Sequence, residues 1–172
     1  DYWWHDIDGW RLVGLNSLVL GSGDPEEQRQ FAWLERILEE AEGRRLAWFM
    51  HQPLFIAEPD EGDTGYWGVK PAPRRRLLEL VDRHEVALVA SGHLHHPNDH
   101  QVRGPRFIWG PPSGFIVGPG LQPEMPGEKR LGAVIYEFGP DGFTAFISDV
   151  DGLHTFYIDD VVHEVYPPRR AA

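Results

Sequence analysis

The sequence predicts an α/β (α+β) fold in which a parallel βαβαβ unit is followed by an antiparallel meander. Between Trp10 and Ala90, three strand-like apolar runs alternate with two helical patterns. Such alternation favours parallel strands joined by right-handed crossovers. After residue 100, short segments of alternating apolar and polar residues are separated by turns rich in Gly and Pro. These segments are typical of antiparallel strands whose two faces differ in polarity.

Two strands open the chain. Residues 2–8 and 10–16 are rich in aromatic and β-branched side chains, which favour strands, and Gly9 marks the turn between them. Asn16 and Ser17 follow the second strand. We interpret these two polar residues as turn residues rather than as part of a site.

The first helix begins with Asp24 as its N-cap and Pro25 in the first helical position. Gly43 is expected to end it. Because the cap accounts for Asp24, we do not assign Gly23 and Asp24 to a metal-binding Gly-Asp motif. The buried face is predicted from apolar residues at three- and four-residue spacing, which are Phe31, Leu34, Leu38 and Ala41.

A strand over residues 44–50 ends at His51-Gln52-Pro53, and a second helix is predicted over residues 73–84. In this helix, apolar residues are expected to face inward and basic residues outward, namely Leu77, Leu78, Leu80 and Val81 against Arg74, Arg75 and Arg76.

The segment 54–73 between the strand and the helix is long and irregular, which is typical of a functional loop. It is therefore a candidate lid or substrate loop. A nucleotide base could stack on Tyr66 or Trp67, and internal packing explains the same two rings equally well. We interpret its acidic residues as a solvated face rather than as metal ligands; they are Glu58, Asp60, Glu61 and Asp63.

The apolar run 86–90 is too short for a helix and is typical of a strand buried on both faces. Ser91 and Gly92 end it, and three histidines follow, His93, His95 and His96. Ligands bind outside the carboxyl ends of strands in open α/β sheets. His93 and His95 are expected to project the same way from an extended segment and to hold a metal ion. A His-rich surface turn explains the cluster alone equally well, but His51, at the end of the preceding strand, adds a third imidazole.

The second half of the sequence predicts shorter secondary-structure elements. Residues 100–103 and 106–109 flank Gly104 and Pro105 as a hairpin, and residues 111–126 are expected to form a loop. Three further strands are predicted over residues 130–138, 143–150 and 154–158. Residues 161–172 are expected to form a tail.

Composition limits the classes of partner. The formal net charge of −11 argues against non-specific binding to nucleic acid or to an anionic membrane, and we expect neither as a partner. The absence of Cys excludes disulfides and thiolate metal sites. No apolar run in the sequence reaches membrane-spanning length, and we expect a cytoplasmic protein.

Four blocks carry a family resemblance, in this order: Gly9-Trp10-Arg11-Leu12-Val13-Gly14-Leu15-Asn16-Ser17, Gln30-Phe31-Ala32-Trp33-Leu34, His51-Gln52-Pro53 and Gly92-His93-Leu94-His95. With them the chain resembles the carboxyl-terminal part of a calcineurin-like metallophosphoesterase, and most of all the bacterial cyclic-nucleotide phosphodiesterase-like branch. The resemblance implies part of a four-layer α/β/β/α sandwich. Residues 1–160 would form the carboxyl-terminal lobe of that domain and residues 161–172 a tail.

The resemblance also implies a site and an activity. His51 and His93 would bind one ion of a two-metal site and His95 the other, with Mn, Fe or Zn as the divalent transition metal. Two such ions clamp a phosphoryl group and generate hydroxide at neutral pH. The implied function is hydrolysis of a phosphodiester or phosphomonoester, with a small phosphate ester or a nucleotide as substrate.

Three motifs of that family do not precede the matching blocks in this chain: Asp-x-His, Gly-Asp-x-x-Asp and Gly-Asn-His-Asp/Glu. The second of these supplies the carboxylate that bridges the metals. We therefore expect this chain to supply part of the site, with a missing amino-terminal half supplying the rest. The alternatives are a non-catalytic remnant that binds a nucleotide or a partner protein, and a mononuclear zinc hydrolase.

The missing half leads to a structural expectation. It would hold central strands that pair with the Trp10 and Val86 strands, so the isolated lobe would expose sheet edges and apolar surface. Exposed edges favour association, and we predict a homo-oligomer.

Overall fold

A computed structural model of the chain describes residues 1–122 and 124–165. Its helices are α1 (Pro25–Glu39), α2 (Pro71–Arg83) and the short α3 (Val162–Val165). Its strands are β1 (Trp3–Ile7), β2 (Trp10–Leu15), β3 (Arg45–Met50), β4 (Leu88–Ser91), β5 (Asn98–Gln101), β6 (Arg106–Trp109), β7 (Ala133–Gly139) and β8 (Gly142–Ser148).

The main sheet has the strand order β1-β2-β3-β4-β6-β5, and β7 pairs with β8 in a second sheet. Strands β2, β3, β4 and β6 are parallel, whereas β1 and β5 run antiparallel at the two edges. The predicted parallel βαβαβ unit and the α/β class are confirmed. The expectation that β2 and β4 pair with strands outside the chain is wrong, because β2 lies between β1 and β3, and β4 lies between β3 and β6.

Three layers position the site. Helices α1 and α2 cover one face of the main sheet, where Val13, Trp48 and Val89 are buried against Leu34 and Leu77. The β7–β8 sheet covers the other face, and its inner side chains pack on the core residues Trp10, Ala47, Leu88, Ala90 and Ile108. This α/β/β arrangement matches three layers of the expected four-layer sandwich.

Trp10 links the main sheet to the β7–β8 sheet. It is 1% exposed, its indole N–H donates to the Gly139 carbonyl at 2.9 Å, and its ring centroid lies 5.0 Å from that of Phe138. A buried indole needs such a partner because an unsatisfied N–H in the core is costly.

Helix α1 starts as predicted. The Asp24 carboxylate accepts the Glu26 amide at 2.8 Å, and Pro25 takes the first position. Asp24 therefore works as a cap. The helix ends at Glu39, before the predicted Gly43, which adopts φ +77° in the turn that follows.

Helix α2 corrects one expectation, because Arg74 faces inward and is 1% exposed. Its guanidinium contacts the Glu61 carboxylate at 3.4 Å and donates to the Gly62 carbonyl at 3.1 Å. Glu61 also accepts the amides of Ile56 and Ala57, at 2.7 and 2.8 Å. This pair holds the 54–70 loop against α2, so Glu61 is a structural residue.

Past β8, the predicted strand over residues 154–158 is wrong. Only Tyr157 makes a bridge, to Ile116, and Ile158–Val161 form a 3₁₀ helix. The Asp159 carboxylate explains the difference, because it binds the amides of Gly118 and Gly120 and draws the chain towards that loop rather than along β8. Of the predicted tail over residues 161–172, residues 166–172 lie outside the described residues. No helix within the described residues is long and apolar enough to cross a membrane.

Candidate metal centre

The carboxyl ends of β3 and β4 bring two of the predicted ligands together. The two strands are parallel neighbours, with Phe49 opposite Ala90, and each ends just before a histidine-bearing segment. The Gly92 amide donates to the His51 carbonyl at 3.0 Å. As a result, His51 Nε2 lies 3.0 Å from His93 Nδ1.

The hydrogen bonds of His93 fix its tautomer. Its Nε2 lies 2.9 Å from the Tyr66 carbonyl, and because a carbonyl only accepts, Nε2 carries the proton. The Nδ1 lone pair therefore faces His51, whose Nε2–H donates to it. The Gln52 side-chain amide donates to the same Tyr66 carbonyl at 2.9 Å, which fixes the position of that carbonyl.

The backbone around the histidines is a turn, which corrects the expected extended segment. His93 and His95 have φ values of 68° and 57°, in the left-handed region that is uncommon for residues other than glycine. The Leu94 amide donates to the Gly92 carbonyl at 2.8 Å, and the Leu94 side chain is fully buried. Burial of Leu94 between the two histidines stabilises the turn, and strained backbone of this kind concentrates at functional sites.

His95 lies farther along the same cleft. Its Nδ1–H donates to the Phe115 carbonyl at 2.7 Å, and its ring stacks on that of Phe115 with a centroid distance of 4.3 Å. Its Nε2 carries a lone pair that can bind a metal ion. Within residues 1–122 and 124–165, no group of three or more His, Asp or Glu side chains is close enough together to hold a metal ion. The structure thus joins His51 and His93 and leaves His95 apart from them.

His96 has a different role from the histidines before it. It is fully buried, with Nε2 2.9 Å from the Val117 carbonyl and Nδ1 3.4 Å from the Pro126 carbonyl. Both ring nitrogens therefore face backbone carbonyls. His96 fixes the loop after β6 against the histidine turn.

Burial lowers the pKa of His93, and the nearby rings of His51 and His95 lower it further, while the hydrogen bond to the Tyr66 carbonyl acts in the opposite direction. A lowered pKa favours the neutral imidazole at neutral pH. Neutral imidazole is the form that binds metal ions.

A cleft of about 430 Å³ opens beside His93 and His95. Tyr66 and Trp67 line one part of it, and their rings lie 4.5 and 6.0 Å from the ring of His93. The remaining lining residues come from the loop after β6 and from the 3₁₀ helix: Phe115, Val117, Leu121 and Ile158. The volume is in the range of small-molecule sites.

Sequence reasoning missed the residues that support this cleft. Asp159 accepts the Gly118 amide at 2.6 Å and the Gly120 amide at 3.0 Å, across separations of 41 and 39 residues. Phe115 and the Tyr66 carbonyl act on the histidines from distant segments as well. Contacts between backbone groups and distant residues leave no local pattern; the density of Gly and Pro in residues 111–126 was the one available indication.

The histidine side chains suit a divalent transition metal, but they supply only part of a site. His93 and His95 each engage a backbone carbonyl through one ring nitrogen, which is the usual arrangement of a metal-binding histidine. Imidazole ligands without thiolate suit Mn, Fe or Zn. Among the described residues, however, no carboxylate joins them in a three-ligand group, so these residues fit part of a site and do not complete one for two ions.

Comparisons with known proteins show similarity over part of the chain. No protein-family model matches the chain. The chain is 35% identical over 101 residues to the serine/threonine-protein phosphatase CPPED1 of Danio rerio, which covers 55% of this chain and 32% of that protein. The CPPED1 phosphatase of Homo sapiens is 31% identical over 104 residues, 54% of this chain and 33% of that protein. The chain thus spans about a third of the length of these curated relatives.

Among solved structures, GAP50, described as the anchor in the inner membrane complex of Plasmodium, matches with a TM-score of 0.60 and 14% identity over 98% of this chain and 59% of that chain. At this identity the match shows a shared fold. The fold has a mixed sheet of parallel and antiparallel strands, with helices packed on it. The chain is thus similar in sequence to proteins named as phosphatases over about half of its own length.

Proposed function

We propose that the chain forms part of a metal-dependent phosphoesterase in which His51, His93 and His95 are metal ligands. The observation that carries the proposal is the contact of 3.0 Å between His51 Nε2 and His93 Nδ1 at the carboxyl edge of the sheet. The curated relatives, which are named as phosphatases, support the same class of reaction.

The two nitrogen atoms share one proton in the described structure. Two lone pairs this close together repel unless a proton or a cation lies between them, so a cation that binds here displaces that proton. The two ring nitrogens are close enough that both could bind one ion, and imidazole nitrogen is a common ligand of divalent transition metals. The Tyr66 carbonyl accepts the Nε2–H of His93, and the Phe115 carbonyl accepts the Nδ1–H of His95. These hydrogen bonds orient the two rings and leave Nδ1 of His93 and Nε2 of His95 as the nitrogens that could bind a cation.

A bound divalent transition ion would supply Lewis acidity and lower the pKa of water. The complete site is proposed to hold two ions, with Mn, Fe or Zn as the metal. The further ligands, including a bridging carboxylate, would come from polypeptide outside this chain. The substrate is proposed to be a small phosphate ester or a nucleotide.

The test is metal retention. The chain is incubated with Mn²⁺ or Zn²⁺, passed over a desalting column and analysed by mass spectrometry for bound metal. His93→Ala is expected to reduce metal affinity about tenfold or more, whereas His154→Ala, which removes an exposed imidazole far along the chain, should leave it unchanged. Equal retention by the two variants, or no retention by the unmodified chain, contradicts the proposal.

A second function, a non-catalytic module that binds a nucleotide or a protein, is favoured by one observation. No three potential ligands come together among residues 1–122 and 124–165. This alternative predicts nucleotide binding that persists in EDTA and no hydrolysis. Phosphatase activity that both EDTA and His93→Ala abolish would exclude it, and a count near two ions per chain would exclude a mononuclear zinc hydrolase.

A further inference from the structure

The cleft beside the histidines carries information on the substrate beyond its phosphate group. Its lining residues apart from the imidazoles are aromatic or aliphatic, and none is charged; they are Tyr66, Trp67, Phe115, Val117, Leu121 and Ile158. In a chain with a formal charge of −11, an uncharged cleft of this size is a local exception. Apolar surface of this kind favours a ligand group that leaves water.

Several lining side chains remain partly open to solvent. Tyr66 is 68% exposed and Leu121 is 37% exposed. Tyr66 also packs edge-on to Trp67, with ring centroids 5.3 Å apart. Exposed aromatic surface next to the histidines gives a flat ligand a place to stack without opening the protein core.

We infer that this cleft binds the flat, uncharged leaving group of an aryl phosphate ester, while the phosphoryl group lies at His93 and His95. The inference rests on the proposed function. In the hydrolysis, a water oxygen bonds to phosphorus and the bond from phosphorus to the ester oxygen breaks. One water proton ends on the departing alcohol, so the products are phosphate and an aryl alcohol.

The lining argues against two other leaving groups. A nucleobase exposes several donors and acceptors that need partners, and beyond the imidazoles and the Tyr66 hydroxyl the lining side chains offer only the Trp67 indole N–H. A phosphorylated Ser or Thr within a peptide would bring polar backbone groups into an apolar cleft, where unpaired polar groups are costly. A flat apolar ring matches the lining without either cost.

The experiment compares affinities for phosphate esters with different leaving groups. The dissociation constants of 1-naphthyl phosphate, glycerol 2-phosphate and adenosine monophosphate are measured by ligand-observed NMR in the presence of EDTA, so that turnover does not consume the probe. We expect 1-naphthyl phosphate to bind at least about tenfold more tightly than glycerol 2-phosphate, because its ring buries apolar surface. Equal affinities, or tighter binding of adenosine monophosphate, overturn the inference.

Two variants localise the effect. Leu121→Ser should weaken binding of 1-naphthyl phosphate about fivefold and leave glycerol 2-phosphate unchanged. Tyr66→Ser should weaken binding of 1-naphthyl phosphate more than that of glycerol 2-phosphate, since the Tyr66 ring also packs on His93. Ile135→Ser is the matched control, since Ile135 is 41% exposed on the outer face of the β7–β8 sheet. If neither cleft variant weakens naphthyl binding more than Ile135→Ser does, the ring binds elsewhere and the inference is wrong.

Metal retention and hydrolysis assays with Mn²⁺ separate this inference from the proposed function. A chain that binds 1-naphthyl phosphate selectively but retains neither Mn²⁺ nor Zn²⁺ after desalting contradicts the phosphoesterase proposal while the ligand class stands. A chain that hydrolyses all three esters with equal kcat/KM and binds them equally supports the phosphoesterase and overturns the aryl preference.

Discussion

At the residue scale, Arg11 connects three elements of the fold. It is 4% exposed, and its guanidinium donates to both Asp6 carboxylate oxygens at 2.8 Å. It also donates to the Ile37 carbonyl in α1 and lies 4.3 Å from the centroid of the Trp4 ring. A buried guanidinium is tolerated only when its charge is paired, so Asp6 is required for β1, β2 and α1 to pack as they do.

Asp6→Asn is therefore expected to lower the free energy of unfolding by about 2 kcal/mol, because it leaves the buried charge of Arg11 without a counter-ion. Urea denaturation at neutral pH measures the effect. The matched control is Glu128→Gln, which removes an exposed carboxylate 3.4 Å from Arg130 and should change the stability by less than about 0.5 kcal/mol.

The difference in unfolding free energy between the original chain and Asp6→Asn should change with pH in one direction only. Hydrogen bonding from Arg11 lowers the pKa of Asp6 from its ordinary value of 3.8 in the folded chain. The stabilisation is thus fully present above the pKa of the unfolded state and is lost as the pH falls through the lower folded pKa. The difference between the original chain and Asp6→Asn should be constant from pH 7 to about pH 5 and shrink below about pH 4. A difference that grows on acidification would show that the pairing has been misassigned.

The residues of the site were only partly predictable. That His51 and His93 would meet follows from their positions at the carboxyl ends of neighbouring parallel strands, and the two rings lie in contact. Their role as metal ligands stays a prediction. The turn at His93 and His95 was not predictable, because it depends on burial of Leu94, which the local pattern of Gly, His and Leu does not reveal. Their carbonyl partners, at Tyr66 and Phe115, are set by loops whose paths the sequence does not determine.

At the scale of elements, the loop after β6 depends on the short 3₁₀ helix at Ile158–Val161. The Asp159 carboxylate accepts the amides of Gly118 and Gly120. A Cβ atom at either glycine would lie 2.8 Å from Asp159 Oδ1, so this close approach requires glycine at both positions. The same loop carries Phe115 and Leu121, which line the cleft.

Asp159→Ala should consequently loosen this loop. The amides of Gly118 and Gly120 lose a charged acceptor, and their hydrogen exchange is expected to accelerate about tenfold, equivalent to roughly 1.4 kcal/mol. Amide exchange followed by NMR measures this directly. Asp160→Ala, at an exposed neighbour in the same turn, should leave both rates unchanged; acceleration in both variants would mean that the 3₁₀ helix as a whole, rather than the carboxylate, holds the loop.

Elements with a periodic apolar pattern or a cap were predictable, as the N-cap Asp24 and the alternating residues of β8 show. Elements decided by distant partners were not. The segment 154–158 has the residue types of a strand, but the bond of Asp159 to Gly118 and Gly120 takes the chain away from β8. Arg74 has the sequence context of an exposed arginine, yet the Glu61 carboxylate makes its burial possible.

At the scale of the whole molecule, the chain completes its own central strands but leaves an edge open. Strand β1 forms one edge of the main sheet, and its large apolar side chains are exposed, with Trp3 at 49%, Trp4 at 42% and Ile7 at 44%. No strand pairs with its outer side among the described residues. Exposed apolar edge strands favour pairing with another chain.

We therefore expect a dimer or a larger assembly that forms through the β1 edge. Light scattering on the purified chain measures the mass, and Ile7→Lys, which places a charge on that edge, should shift the assembly to a monomer. Ile135→Lys is the matched control, because it places the same charge on the outer face of the β7–β8 sheet at a similarly exposed isoleucine. Dissociation by Ile135→Lys alone would place the interface on the second sheet, and a monomeric unmodified chain would show that Trp3, Trp4 and Ile7 remain in water without a partner.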